Sequence, residues 1–224
     1  MPAPISIVIP TLNAAETLPA TLQALMEGLH TGLIRELIVT DGGSTDQTLE
    51  IADEAGAEIV TGAASRGGQL RRGCKQARGE WLLVLHADTV LEDGWTKAVG
   101  DHLRSGKPAV FRLAFRAVGF APGWVAGWAN LRSRVLGLPY GDQGLLIPRR
   151  TYEQAGGFPD QPLMEDVALM RRVRGVALLP SRAFTSADRY QKAGWMRRGA
   201  RNLWTLLRYF LGADPAKLAR AYRR

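Results

Sequence analysis

The chain has 224 residues, 46% hydrophobic and 22% charged, which is enough apolar material for one full core and too much for a disordered chain. One cysteine, Cys74, excludes an internal disulfide framework, and the lack of any run of 18 apolar residues excludes a spanning helix. A net charge of +8 favours anionic partners such as nucleotide phosphates, nucleic acid or an acidic membrane face.

Met1-Pro2-Ala3-Pro4 has no basic n-region or cleavage site, so a cytoplasmic protein is expected. Ile5–Thr11 is a β-branched run ending in Pro10-Thr11. Asn13 is placed to cap a helix whose apolar positions Leu18, Leu22, Leu25 and Met26 recur every three or four residues. Ile34–Thr40 is a second strand, broken by Asp41-Gly42-Gly43-Ser44, after which Asp46 caps a short helix to about Ala55. Ala57–Thr61, a helix carrying Leu70 and Cys74, and Trp81–His86 complete an alternation of strands and helices. Such alternation predicts right-handed βαβ units and a parallel sheet.

A helix near Asp93–Leu103 follows. Pro108–Ala117 then alternates Phe111, Leu113 and Phe115 with Arg112, Ala114 and Arg116, which predicts a half-exposed strand at the mixed edge of the sheet. Residues 120–138 carry Trp124, Trp128, Leu131, Val135 and Leu138 at helical spacing, a stripe expected to face the core. Short elements are predicted at Gly144–Pro148 (strand), Met164–Val173 (helix) and Val176–Pro180 (strand). The tail from Trp195 reads as two helices broken at Gly212-Ala213-Asp214-Pro215. From Arg171 onward there are fourteen Lys or Arg against two Asp, so the basic excess belongs to this last quarter. An amphipathic basic helix carrying Trp195, Leu203, Trp204, Leu207, Phe210 and Leu211 suits an anionic membrane surface; packing on the sheet or on a dimer partner is the alternative.

Three strand ends carry polar or turn chemistry: Pro10-Thr11-Leu12-Asn13, Asp41-Gly42-Gly43-Ser44 and His86-Ala87-Asp88. In a parallel sheet all three face the C-terminal edge, where open α/β sheets bind ligands. Residue type alone leaves Asp88 open between a loop cap and a carboxylate that holds a divalent metal against phosphates.

Four motifs resemble glycosyltransferase family 2, of the nucleotide-sugar-binding GT-A fold: Ile5–Asn13, Leu37–Asp46, Leu85-His86-Ala87-Asp88 and Met164-Glu165-Asp166-Val167-Ala168-Leu169. They stand in that family's order across about residues 4–190. The variants at 86–89 (His-Ala-Asp-Thr) and 140–144 (Tyr-Gly-Asp-Gln-Gly) are similar to a bacterial subgroup linked by gene context to arsenosugar biosynthesis. The resemblance implies an α/β three-layer sandwich with a mostly parallel sheet. Its catalytic unit would cover 1–190, with a nucleotide-binding half at about 1–106 and an acceptor half at about 107–190. Basic amphipathic helices would follow at 191–224.

The resemblance further implies inverting transfer of a single sugar, helped by Mg²⁺ or Mn²⁺, from a nucleotide-sugar donor (a UDP-sugar) to a small-molecule or lipid-linked hydroxyl. Asp166 would be the general base and Glu165 its orienting neighbour. Pro10, Thr11, Asn13, Asp41, Arg71 (or Arg72), Ala87 and Asp88 would contact the nucleotide; for Asp41 a cap of its own loop, and for the arginine a solvated helix face, are equal alternatives. Asp142 and Gln143 would contact the acceptor or donor sugar, and Arg189 and Lys192 would clamp the diphosphate. The metal would fall to Asp88 and to His86, which stands where the family's first acidic residue usually is; a hydrogen bond to the ribose or a role in shaping the pocket is the alternative for His86. Imidazole suits Mn²⁺ better than Mg²⁺. The family's processive Gln-x-x-Arg-Trp signature is missing, and no nucleic-acid-binding motif is present.

Two readings compete. A sugar nucleotidyltransferase wants a Gly-rich basic loop after the first strand, where this chain has Pro10-Thr11-Leu12-Asn13-Ala14. A non-catalytic module would use the basic tail on membrane or nucleic acid. Peripheral contact with the inner membrane face and a homodimer are further expectations from the tail.

Overall fold

A computed structural model describes residues 3–223, with backbone alone for Arg189 and Arg223. The first half alternates as expected: β1 (Ile5–Thr11), α1 (Leu18–His30), β2 (Ile34–Asp41), α2 (Thr48–Glu54), β3 (Glu58–Thr61), α3 (Arg66–Gln76) and β4 (Trp81–Val84). Next come β5 (Val90–Leu91), α4 (Trp95–Leu103), β6 (Ala109–Phe115), α5 (Phe120–Leu136), a 3₁₀ turn at Gly141–Gln143 and β7 (Leu145–Pro148). The chain ends with α6 (Arg149–Gln154), α7 (Glu165–Met170), β8 (Ala177–Thr185), α8 (Asp188–Ala193), α9 (Trp195–Phe210) and α10 (Pro215–Arg223).

The eight strands form one sheet in the order β3-β2-β1-β4-β7-β6-β8-β5. β1, β2, β3 and β4 are mutually parallel, as are β6 and β8; β7 runs antiparallel between β4 and β6. Strand residues alternate between two cores because successive side chains point to opposite faces. Ile5, Ile7, Ile9, Leu83 and Leu85 pack with Leu18, Leu25 and Trp95 from α1 and α4. Val8, Ile38, Leu82, Val84 and Ile147 pack on the other face with Leu70, Cys74, Tyr152 and Leu169 from α3, α6 and α7. The result is the three-layer α/β sandwich expected. Cys74 is buried, and burial pushes its thiol up to about 12, so it is an inert core residue.

Several expectations are corrected. β6 lies inside the sheet, because β7 and β8 flank it; its Arg112, and Arg116 just after it, are exposed while Phe111, Leu113 and Phe115 are buried. β8 runs on past Pro180, because a register shift between Val110 and Arg112 lets the strand pass a residue with no N–H. Asn13 caps no helix: α1 begins after Thr17, while the Asn13 carboxamide accepts the Thr45 N–H. The stripe of α5 faces outward, since Pro122, Ala126, Ala129 and Ser133 are the residues it buries.

Candidate active site

β1, β2 and β4 deliver their C-terminal ends to one edge, as the parallel pairing requires. Beyond that edge lies a cleft of about 640 Å³, lined by Pro10, Thr11, Leu12 and Asn13 after β1, His86, Ala87 and Asp88 after β4, Ser65, Arg66 and Gln69 from α3, and Asp188 and Lys192 from α8. A smaller pocket of about 130 Å³ adjoins it, lined by Tyr140, Gly141, Asp142, Met164, Asp166, Tyr190, Asn202 and Tyr222 among others. Arg66, His86, Asp88 and Ser186 line both, so the two spaces meet at these four residues.

Local chemistry fixes this edge. Gln69 donates to the Thr11 and Thr40 carbonyls at 2.7 and 2.8 Å, tying the ends of β1 and β2 to α3. The hydroxyl of Thr21 donates to the Ala87 carbonyl, and Arg116 donates to that of Asp88, which holds the turn after β4 from both sides. The Ser65 hydroxyl accepts the Gly68 N–H at the start of α3 and donates to Asp160 at 2.6 Å. Gly67 follows, its N–H on the Gln161 carbonyl; a Cβ there would lie 2.0 Å from the Pro159 carbonyl oxygen, so only glycine permits this approach. The start of α3 is thereby joined to the loop that leads into α7.

Arg66 is the electrostatic centre. Its Nε lies 3.6 Å from Glu165, and the charges of Glu165, Asp166 and Asp88 together raise its pKa despite burial. Glu165 is 1% exposed and its Oε2 has no hydrogen-bond partner. Burial first and the Asp166 charge second push it well above the usual carboxylate range, against the pull of Arg66. Asp166 faces the small pocket, its carboxylate accepting the Gly141 and Val167 N–H groups at 2.7 Å each. Asp142 lines the same pocket and has one buried oxygen with no partner, and burial raises its carboxyl to about 6. Gly141 packs against His86, where a Cβ would meet the ring Nε2 at 2.5 Å. Among the described residues, the two non-glycines with positive φ, Asn13 and Met164, both line these spaces. Strain at a site is the usual place for such conformations.

The structure thus brings together Pro10, Thr11, Asn13, His86, Ala87, Asp88, Asp142, Asp166 and Lys192, with Glu165 one residue behind. Three expected contacts fall elsewhere. Gln143 is fully buried, accepting from Ser133 and donating to the Phe111 carbonyl and to Asn130, so it braces α5 against β6. Arg71 sits on the exposed face of α3, outside both spaces. Asp41 is 1% exposed and its two oxygens are taken by Thr11, Gly43 and Ser44, which makes it the clamp of its own loop. The side chain of Arg189 lies outside the described residues.

Residue patterns missed Arg66, Asn202 and Tyr222. The signal for Arg66 was its place directly after a capping serine and before Gly67-Gly68. Asn202 and Tyr222 come from the tail: Asn202 bonds the hydroxyls of Tyr190 and Tyr222, and Arg198 donates to Tyr222 at 2.7 Å. No spacing within the tail announces that cluster.

A mostly parallel α/β sheet with a carboxylate-lined pocket beside a strand-end cleft is the arrangement in which open α/β sheets bind their ligands. Residues 6–172 match Glycosyl transferase family 2, and the chain belongs to that family. It is similar to the PGL/p-HBAD biosynthesis glycosyltransferase of Mycobacterium bovis, 39% identical over 115 residues that cover 46% of this chain and 44% of that protein. It is 43% identical over 61 residues to the glucosyl-3-phosphoglycerate synthase of Mycolicibacterium smegmatis, covering 27% and 20%. The matched segments span less than half the length of these curated relatives. Among solved structures, S. aureus TarS superposes with a TM-score of 0.64 at 16% identity, over 88% of this chain and 39% of that one. The Mycobacterium tuberculosis glucosyl-3-phosphoglycerate synthase in complex with Mn²⁺, UDP and phosphoglyceric acid gives 0.56 at 21% identity, over 78% and 67%. These two likenesses establish the GT-A fold.

Proposed function

We propose that the protein is an inverting glycosyltransferase that moves one sugar from a UDP-sugar to a hydroxyl acceptor, with Asp166 as general base. The observation that carries this reading is the junction of two spaces: a wide strand-end cleft of nucleotide dimensions and a small carboxylate-lined pocket, sharing Arg66, His86 and Asp88. A donor nucleotide in the cleft would place its diphosphate near Arg66 and Lys192 and its sugar at the junction. The acceptor hydroxyl, held in the small pocket, gives its proton to Asp166 as its oxygen bonds to the anomeric carbon. The bond from that carbon to the diphosphate breaks, and UDP leaves with the electron pair. Solved relatives of the same fold that hold UDP-GlcNAc, or Mn²⁺ with UDP, support the donor class. On this reading residues 1–190 carry the catalysis, and the helices after 190 close the acceptor side.

The donor set fits a divalent ion that is shared with substrate. Asp88 offers one carboxylate and His86 an imidazole, and no three His, Cys, Asp or Glu side chains converge among the described residues. Asp88 would hold Mg²⁺ or Mn²⁺ while the diphosphate completes its shell, and the bound ion would neutralise charge on the leaving group.

The test is UDP release from UDP-sugars with a panel of hydroxyl acceptors. Asp166→Asn should lower turnover by about 10²- to 10⁴-fold, the ordinary worth of a positioned base, with UDP binding retained. Full activity in that variant would overturn the base, and pyrophosphate release in place of UDP would overturn the reaction.

A further inference from the structure

Two helices of this protein turn their apolar faces to solvent. On α5 the stripe Phe120, Trp124, Trp128, Leu131 and Val135 is exposed, both tryptophans by 53%, with Gly123 and Gly127 making a shallow groove between them. On α9 the stripe Met196, Leu203, Trp204, Leu207, Phe210 and Leu211 is exposed, Trp204 by 59%. Of α9 only Thr205 and Leu206 are buried. A surface helix of a water-surrounded domain has the opposite arrangement. The two helices pack against each other, Trp195 of α9 sharing one apolar cluster with Val125, Ala126 and Ala129 of α5, so the two exposed stripes flank one helix–helix contact.

Charge selects the occupant. Of the seven Lys or Arg in residues 195–223, Arg198 and Arg201 turn onto Tyr222 and Ala221 of α10, while Arg197, Arg208, Lys217 and Arg220 stand against a single acid, Asp214. A symmetric pair of chains would set this cationic segment against its own copy, at a repulsive cost. Anionic headgroups supply the complement, and tryptophans beside cations suit the boundary between headgroups and acyl chains. We propose that the α5–α9 face docks the protein on an anionic lipid bilayer. Asn202, on the opposite side of α9, lines the small pocket, so docking sets that pocket about one helix diameter, ~10 Å, from the lipid.

Co-sedimentation of the full chain with phosphatidylcholine vesicles, with and without about 30 mol% phosphatidylglycerol, tests this. Binding should strengthen at least about tenfold with the anionic lipid and fall in about 1 M salt. Trp128→Asp and Trp204→Asp, both at exposed positions, should each weaken binding about tenfold or more with an unchanged Tm. A variant whose Tm falls is replaced by the milder Trp204→Gln, read the same way. No binding, equal binding to neutral vesicles, or a stable dimer in sedimentation that Trp204→Asp dissociates would each overturn the proposal.

Discussion

Replacing Asp142 by asparagine tests the electrostatics of the small pocket without changing its shape. Burial raises the Asp142 carboxyl from 3.8 to about 6; Asp166 and Asp88 add to the rise, and Arg132 and Arg66 oppose it. That difference of about two units corresponds to ~3 kcal/mol at 1.36 kcal/mol per unit. Asp142 is half-buried, and water at the pocket mouth reduces this to ~1–2 kcal/mol. The sign follows from proton counting. Between pH 4 and 6 the folded chain keeps a proton that the unfolded chain has released, so stability falls as pH rises through this window. Below about pH 4 the penalty is absent; above about pH 7 it is complete. Asp142→Asn carries no ionisation and should be more stable than the parent at pH 8 by ~1–2 kcal/mol, with the gap closing towards pH 4.5. Urea unfolding in chelator-containing buffer at the two pH values measures this directly. An asparagine variant that is less stable at pH 8, or whose difference does not change with pH, refutes the argument.

Arg66→Ala leaves Glu165, Asp166 and Asp88 without their shared cation, and should lower transfer by about 100-fold with a raised donor KM; Arg71→Ala, on the exposed face of α3, should change either constant less than about twofold. Steady-state kinetics of the pair separates the two arginines, and equal effects would return the role to Arg71. Gly67→Ala drives a Cβ into the Pro159 carbonyl and should cost ~2–4 kcal/mol in chemical denaturation, since backbone on both sides resists the shift. A neutral outcome would mean that the contact between α3 and the loop before α7 yields easily.

Sequence alone made the first half of the fold legible, because each parallel strand is a short apolar run bracketed by turn residues and each helix has a single apolar stripe. It could not show β7 slipping between β4 and β6, since strand neighbours across an antiparallel insertion are chosen by tertiary packing. Periodicity in α5 identified its apolar face correctly, yet periodicity carries no information on whether that face points inward. Ala126 and Ala129 do the inward packing because their small side chains let the helix approach Leu113 and Phe115 closely. The strand-end residues of the site were readable, because parallel topology forces them to one edge. Gln143 was misplaced because an amide beside a motif carboxylate looks like a substrate contact until its partners, Ser133, Phe111 and Asn130, are known. Arg66 and Arg71 differ by five positions on one helix, and only the placement of the helix start says which one meets the carboxylates.

Some of the costs in this structure fall where the chemistry is proposed. Asp142 and Glu165 each carry a buried oxygen with no partner, and Met164, directly before Glu165, holds a left-handed backbone at φ 63°. Each is unfavourable by about a kcal/mol or more. The surroundings hold them in place: Ser65 and Gly67 lock α3 to the 159–161 loop, the Gly141 N–H fixes Asp166, and Leu206 packs on Met164 from α9. Asp142 lines the small pocket, where a ligand hydroxyl can donate to its carboxylate. A hydroxyl-rich acceptor that donates to Asp142 would lower its pKa towards the ordinary carboxylate range, so acceptor binding should strengthen as pH rises from 5 to 7. Calorimetric titration of the best acceptor into the unaltered protein without donor measures that slope, and tighter binding at pH 5 would mean that the acceptor takes up the protonated acid instead.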